Sequence, residues 1–74
     1  MNAEKYNVIL PRNILKIIRD KGLKQSAVAQ WAGFSKQQFN DMLRGRRIIK
    51  ACDVMAISEA LGVSVELLFS DDET

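Results

Sequence analysis

Apolar side chains recur along most of this chain at spacings of three and four, the pattern of helices that each bury one face. The first such run begins at Pro11, a residue suited to a first helical turn because its missing N–H has no partner there. Ile14, Leu15, Ile17 and Ile18 give a broad apolar face, Arg12, Lys16 and Arg19 lie opposite, and Lys21-Gly22 supplies a stop. Tyr6, Val8 and Leu10 alternate like a short strand without a partner, so residues 1–10 are expected to be an N-terminal extension. A second helix is expected from Gln25 to Ala32, with Val28 and Ala32 on one face, small Ala29 beside them and Gly33 at its end. Ser35 and Gln38 have the spacing of a capping box, so a third helix should start there and run to about Arg44, stopped by Gly45. Its apolar side is Phe39, Met42 and Leu43. A fourth helix is expected from Ala51 to Leu61, on a stripe of Ala51, Val54, Met55, Ser58 and Leu61 with Ile57 adjoining, ended by Gly62. Within it, Cys52 is expected to be a small buried hydrophobe. Ser64 caps a short fifth helix bearing Glu66, Leu67, Leu68 and Phe69. The pattern gives an all-α chain of one domain over 11–70 and an acidic tail over 71–74, with Ser70 to Thr74 expected to fray.

Composition narrows what such a domain can do. Seventy-four residues bury only about 60% of their unfolded surface and leave little room for a deep substrate cleft. There is no histidine, which removes the commonest general base and transition-metal ligand. One cysteine forms neither an intrachain disulfide nor a thiolate zinc site. No phosphate-cradling glycine loop or nucleophile–base pair is present, so an enzyme, a metal site and a cofactor are not expected. Met1 is not followed by an apolar run of signal-peptide length, and no stretch approaches the about 18 apolar residues of a membrane span. A cytoplasmic protein without membrane contact or a small-molecule ligand is expected.

Charge changes the picture more. The overall net charge of +2 hides a sharp division. Residues 12–50 carry ten Lys or Arg against Asp20 and Asp41, whereas residues 51–74 carry six acids and no base. One part of the molecule can therefore meet a polyanion while another is repelled by it.

The basic part contains a helix, a tight glycine turn and a second helix whose exposed side is amides and cations. Lys36, Gln37, Asn40, Asp41 and Arg44 cluster opposite the apolar face, without an apolar interruption. Amide side chains pair with adenine N6 and N7, and Lys or Arg with guanine O6 and N7. Residues near the start of such a helix reach bases, here Lys36, Gln37 and Asn40. Arg44, Arg46 and Arg47 follow where a chain leaving a groove meets phosphates, and Gln25 opens a helix whose N-terminus can grip one. A solvated polar face would look similar taken alone. The segregated acids and the arginine cluster favour nucleic acid.

Residues Ile14 to Leu68 resemble the helix-turn-helix domain of the lambda repressor and Cro group, also called xenobiotic-response-element-like. The matching points are Arg19, Gly22-Leu23, Gln25 and Val28-Ala29, then Gly33-Phe34-Ser35, Phe39 and Gly45, then Ala60 to Leu68, without insertion. The resemblance implies a compact five-helix lambda-repressor-like DNA-binding domain, with the helix-turn-helix at helices 2 and 3. It implies a homodimer on a two-fold operator. By position it puts backbone contact on Gln25, base reading on Lys36 and Gln37, further contacts on Asn40 and Asp41, and backbone contact on Arg44, Arg46 and Arg47. Gln38 is assigned to a phosphate or to the cap, and Ser35, the cap itself, is counted among the residues expected at the DNA.

Departures from that pattern are Leu43, where an acid is frequent, Ile49, where a proline is frequent, and Lys24 and Lys50 in place of small capping residues. They predict weaker caps and a looser loop, with Leu43 and Ile48-Ile49 as extra core or a subunit contact. Trp31 is expected to lie flat on its own domain. Asp41 has three candidate roles, accepting from cytosine N4, repelling wrong registers, or pairing with Arg44, and the last is favoured. The expected function is a sequence-specific regulator of transcription on double-stranded DNA, a repressor of phage or mobile-element type or an antitoxin, dimerising through Val65, Leu68 and Phe69. The alternative is a protein-interaction module on the same fold, with Trp31, Ile48, Ile49, Leu68 and Phe69 as its patch. RNA binding lacks exposed aromatic residues placed to stack on bases.

Overall fold

The computed structural model describes residues 3–71, with side-chain burial from residue 4 onward. Five helices follow in order, α1 Ala3–Asp20, α2 Gln25–Ala32, α3 Lys36–Leu43, α4 Ala51–Leu61 and α5 Val65–Leu68, and there is no strand among the described residues. α1 packs on α3 and α5, α2 on α3 and α4, and α4 on α5. One core fills the space between them, with Ile14, Val28, Phe39, Met42, Ile57 and Leu68 inaccessible at its centre.

The largest departure from expectation is at the N-terminus. α1 begins at Ala3 rather than at Pro11, and Pro11 lies inside it. An interior proline loses one helical hydrogen bond and crowds the preceding turn, at about 3 kcal/mol. Ile9 and Leu10 are 3% and 5% exposed. Burial of two such side chains contributes roughly 1.5–3 kcal/mol each, enough to offset the proline. Tyr6 adds an edge-to-face contact with Phe69, ring centroids 5.6 Å apart. The period-two look of Tyr6, Val8 and Leu10 is therefore overridden by tertiary packing.

α2 and α3 meet across three residues. Gly33 takes φ +87°, a left-handed conformation open to glycine at little cost. That lets the Gly33 and Phe34 amides turn back and donate to the carbonyls of Gln30 and Ala29. Phe34 stacks on Phe39, centroids 6.1 Å apart and planes nearly parallel, which pins the turn to the core. Ser35 then starts α3 with both halves of a capping box. Its Oγ accepts from the Gln38 amide and its own amide donates to Gln38 Oε1, each at 3.0 Å.

α4 buries Val54, Ile57, Ser58 and Leu61, so its buried face runs through Ile57, and Met55 points outward. Cys52 is likewise exposed, not buried as expected. Asp53 Oδ2 accepts from the Lys50 amide at 3.0 Å, which restores part of the cap that Lys50 itself cannot make. Ser64 caps α5, accepting from the Leu67 amide. Asn13 on α1 clamps the chain beyond α5, its Nδ2 donating to the carbonyls of Leu68 at 2.8 Å and Ser70 at 2.7 Å. Lys5 and Asp71 close the same seam at 2.7 Å. Residues 70 and 71, expected to fray, are thus held. The remainder of the acidic tail, residues 72–74, lies outside the described residues. No described helix is long and apolar enough to cross a membrane.

Candidate nucleic-acid interface

The amides of the first turn of an α-helix have no partner within it. At α2 the cap position is Lys24, whose side chain makes no capping bond, while its carbonyl accepts from the Ala27 and Val28 amides. The first two residues of α2, Gln25 and Ser26, are exposed. The tight turn brings this helix start against the polar side of α3. Gln25, Ser26, Lys36, Gln37 and Asn40 line one open groove, with Ala29 and Phe39 as its floor. A small floor residue lets the two backbones approach, so groups ten or more residues apart in sequence share one concavity. Ser26 was not anticipated. Its place in the first turn of a helix whose cap is a lysine is the signal that points to it.

The polar face of α3 divides by role. Lys36 and Gln37 are exposed and Asn40 half-buried, all available at the groove. Gln38 turns back to the cap with its Oε1, one of its two expected roles. Ser35 spends its oxygen as acceptor in the same box and keeps its hydroxyl proton for an outside acceptor. Asp41 does not pair with Arg44. Its Oδ1 accepts from Gln37 Nε2 at 3.0 Å.

Three exposed arginines follow α3 in the chain. Arg44 is the C-terminal cap residue and is exposed. Arg46 and Arg47, also exposed, hang from the Asp41 carbonyl, their amides donating to it at 2.8 and 3.2 Å. The loop from Gly45 to Ile49 folds back onto Tyr6, Asn7, Leu10 and Pro11 of α1, which is how the N-terminal half of α1 supports it. The uncapped start of α2 thus lies within the groove, and the exposed arginines follow α3 in sequence, with Arg46 and Arg47 beside the first half of α1. Amides that can match base edges and cations that can hold phosphates are the chemistry a duplex-reading surface requires.

The expected dimer residues fare differently. Leu68 is inaccessible within its own chain, so it belongs to the core and offers no surface to a second subunit or to any partner patch. Val65 is half-buried against that core, and Phe69 is 37% exposed beside Tyr6. Leu43 is core as well, while Ile48 is 70% exposed and Ile49 packs against the core. Trp31 is 58% exposed, over a shallow depression of Ala32, Ala56, Glu59 and Ala60.

Comparison with known proteins agrees with this geometry. The helix-turn-helix domain profile matches residues 15–68, from within α1 to the end of α5. An uncharacterized HTH-type transcriptional regulator, y4dJ, of Sinorhizobium fredii is 41% identical over 63 residues, covering 84% of this chain and 82% of its own. Two solved structures share the fold at 22% identity. The restriction-modification controller protein C.AhdI of Aeromonas hydrophila superimposes with a TM-score of 0.80 over 85% of this chain and 96% of that one. The clp gene regulator ClgR of C. glutamicum does so with 0.81 over 86% and 83%. With a five-helix architecture, a glycine turn joining α2 to a capped α3, and a profile match spanning most of its length, this chain belongs to the helix-turn-helix domain family, among transcriptional regulators.

Proposed function

We propose that the protein binds double-stranded DNA in a sequence-specific way, with α3 in the major groove, and acts as a repressor of transcription in the cytoplasm. The observation that carries this is the single groove shared by the start of α2 and the amide face of α3. Lys36, Gln37 and Asn40 read base edges. Gln25 and Ser26 receive one phosphate at the α2 N-terminus, and Arg44, Arg46 and Arg47 hold further phosphates. Two copies place two such helices about 34 Å apart on a near-palindromic operator, of the kind a phage or mobile element carries. Phe69 and the exposed edge of Val65 are the contacts proposed for the dimer, with Leu68 removed from that set.

The test is selection from random-sequence duplex DNA at increasing salt, with sequencing of the survivors. The expected result is an enriched palindrome and a steep salt dependence. Arg46→Ala or Arg47→Ala should weaken all duplexes alike and reduce the salt slope by about 0.9 each. Sedimentation that finds a monomer both free and on DNA removes the dimer. Exposure of Trp31, Ile48 and Met55 at 58%, 70% and 60% favours a second reading, a protein-interaction module or antitoxin on the same fold. Absence of any DNA binding at low salt selects that reading.

A further inference from the structure

A carboxylate is out of place on a surface that meets a polyanion. Asp41 is half-buried on the polar side of α3, and the side chain that bonds it is not Arg44 but the amide of Gln37, one turn earlier. An ionised carboxylate has no proton to give and only accepts. The Gln37 amide has two faces of opposite sense, nitrogen and oxygen. Only the orientation with nitrogen toward Asp41 makes the 3.0 Å contact. One N–H is thereby spent, and one N–H and the carbonyl oxygen are left together. That donor–acceptor pair is the one that matches adenine N7 and N6. Asp41 also holds, through its carbonyl, the amides of Arg46 and Arg47. The base-facing amide and the phosphate-side arginines are therefore referenced to one residue.

We propose that Asp41 is a specificity-determining positioning residue, which fixes the Gln37 amide in one orientation before DNA arrives and lowers non-specific affinity. The second half follows from charge. A fixed anion near phosphates lowers affinity for every duplex alike, so non-specific binding falls, while the discrimination itself comes from the fixed amide. This inference rests on the proposal that α3 reads bases.

The experiment uses the full chain, the selected duplex, its single-base-pair variants and a random duplex, with binding read by fluorescence anisotropy. Gln37→Ala is expected to lose about tenfold discrimination at one base pair, within the range of a bidentate contact. Asp41→Ala should lose a comparable factor at the same base pair while binding the random duplex more tightly. The double variant should be no less discriminating there than Gln37→Ala alone. Asp41→Asn, which keeps an acceptor and drops the charge, should bind the random duplex tightly yet keep more of the discrimination. Full retention of that discrimination by Asp41→Ala, or a loss spread over base pairs that Gln37→Ala leaves alone, overturns the proposal. Should Gln37→Ala change no base preference, base reading at Gln37 itself fails first. If Asp41→Ala does not fold, side-chain amide relaxation in the unaltered protein decides, since Gln37 must be more restricted than exposed Gln30. Equal mobility of the two refutes the fixed orientation.

Discussion

At the scale of single residues, the side chains that hold this molecule together differ in how visible they are beforehand. Ser35 and Gln38 are three apart, and their reciprocal bonds follow from spacing alone. Ser35→Ala should cost about 1 kcal/mol, a fall of about 4–8 °C in the thermal midpoint for a domain of this size. Asn13 was invisible because its two acceptors lie 55 and 57 residues away. Asn13→Asp keeps the size but replaces two donated bonds by a carboxylate facing carbonyls. It should lower stability by about 1–3 kcal/mol in urea unfolding, and an unchanged midpoint would dismiss the clamp. Asp41 is an intermediate case. Gln37 at four residues back and Arg44 at three ahead are both within reach on a helix, so spacing alone could not choose between them.

Among the elements, α2, α3, α4 and α5 were legible because each has a glycine, a serine or a long apolar stripe at its end. α1 was legible only from Pro11 onward, since the usual meaning of Pro11 is a start, and only contacts from other helices outweigh it. Leu10→Ala should therefore cost about 2–5 kcal/mol, as a core truncation does. A cost near zero by urea unfolding would restore the view of residues 1–10 as a loose extension. The face of α4 was ambiguous for a different reason. Apolar and small side chains surround most of the helix, so a stripe through Met55 and one through Ile57 fit almost equally well. The exposed outcome for Cys52 is checkable, since the folded protein should react with a maleimide or a disulfide reagent as fully as the unfolded chain does.

On the scale of the whole molecule, the division of charge along the chain does not keep the two signs wholly apart. Asp71 joins Lys5 and stands 3.8 Å from Arg12, binding the acidic end to the start of α1. The hydrogen bond from Lys5, aided by its charge, holds the Asp71 carboxyl below its ordinary 3.8, and the same bond raises Lys5 above its ordinary 10.5. A lowered acid pKa in the folded state stabilises above the unfolded value and fades as pH falls through the folded one. A raised lysine pKa does the reverse, with its contribution lost as pH rises through the folded value. The seam should thus stay closed between about pH 4 and 10, and loosen below, where NMR signals of residues 5 and 71 should shift together. Asp71→Asn should abolish that joint shift. The α1–α5 seam also bears on how the chain reaches its native state. The α2–α3 pair closes over three residues, whereas Leu68 and the Asn13 clamp must be gathered across nearly the whole length, a step with a greater entropy cost. Docking of α5 is then a late event in folding. Leu68→Ala should speed unfolding far more than it slows refolding, while Phe39→Ala slows refolding, so a nascent chain stalled after α4 would hold α2 and α3 without the helix that ties α1 to α4.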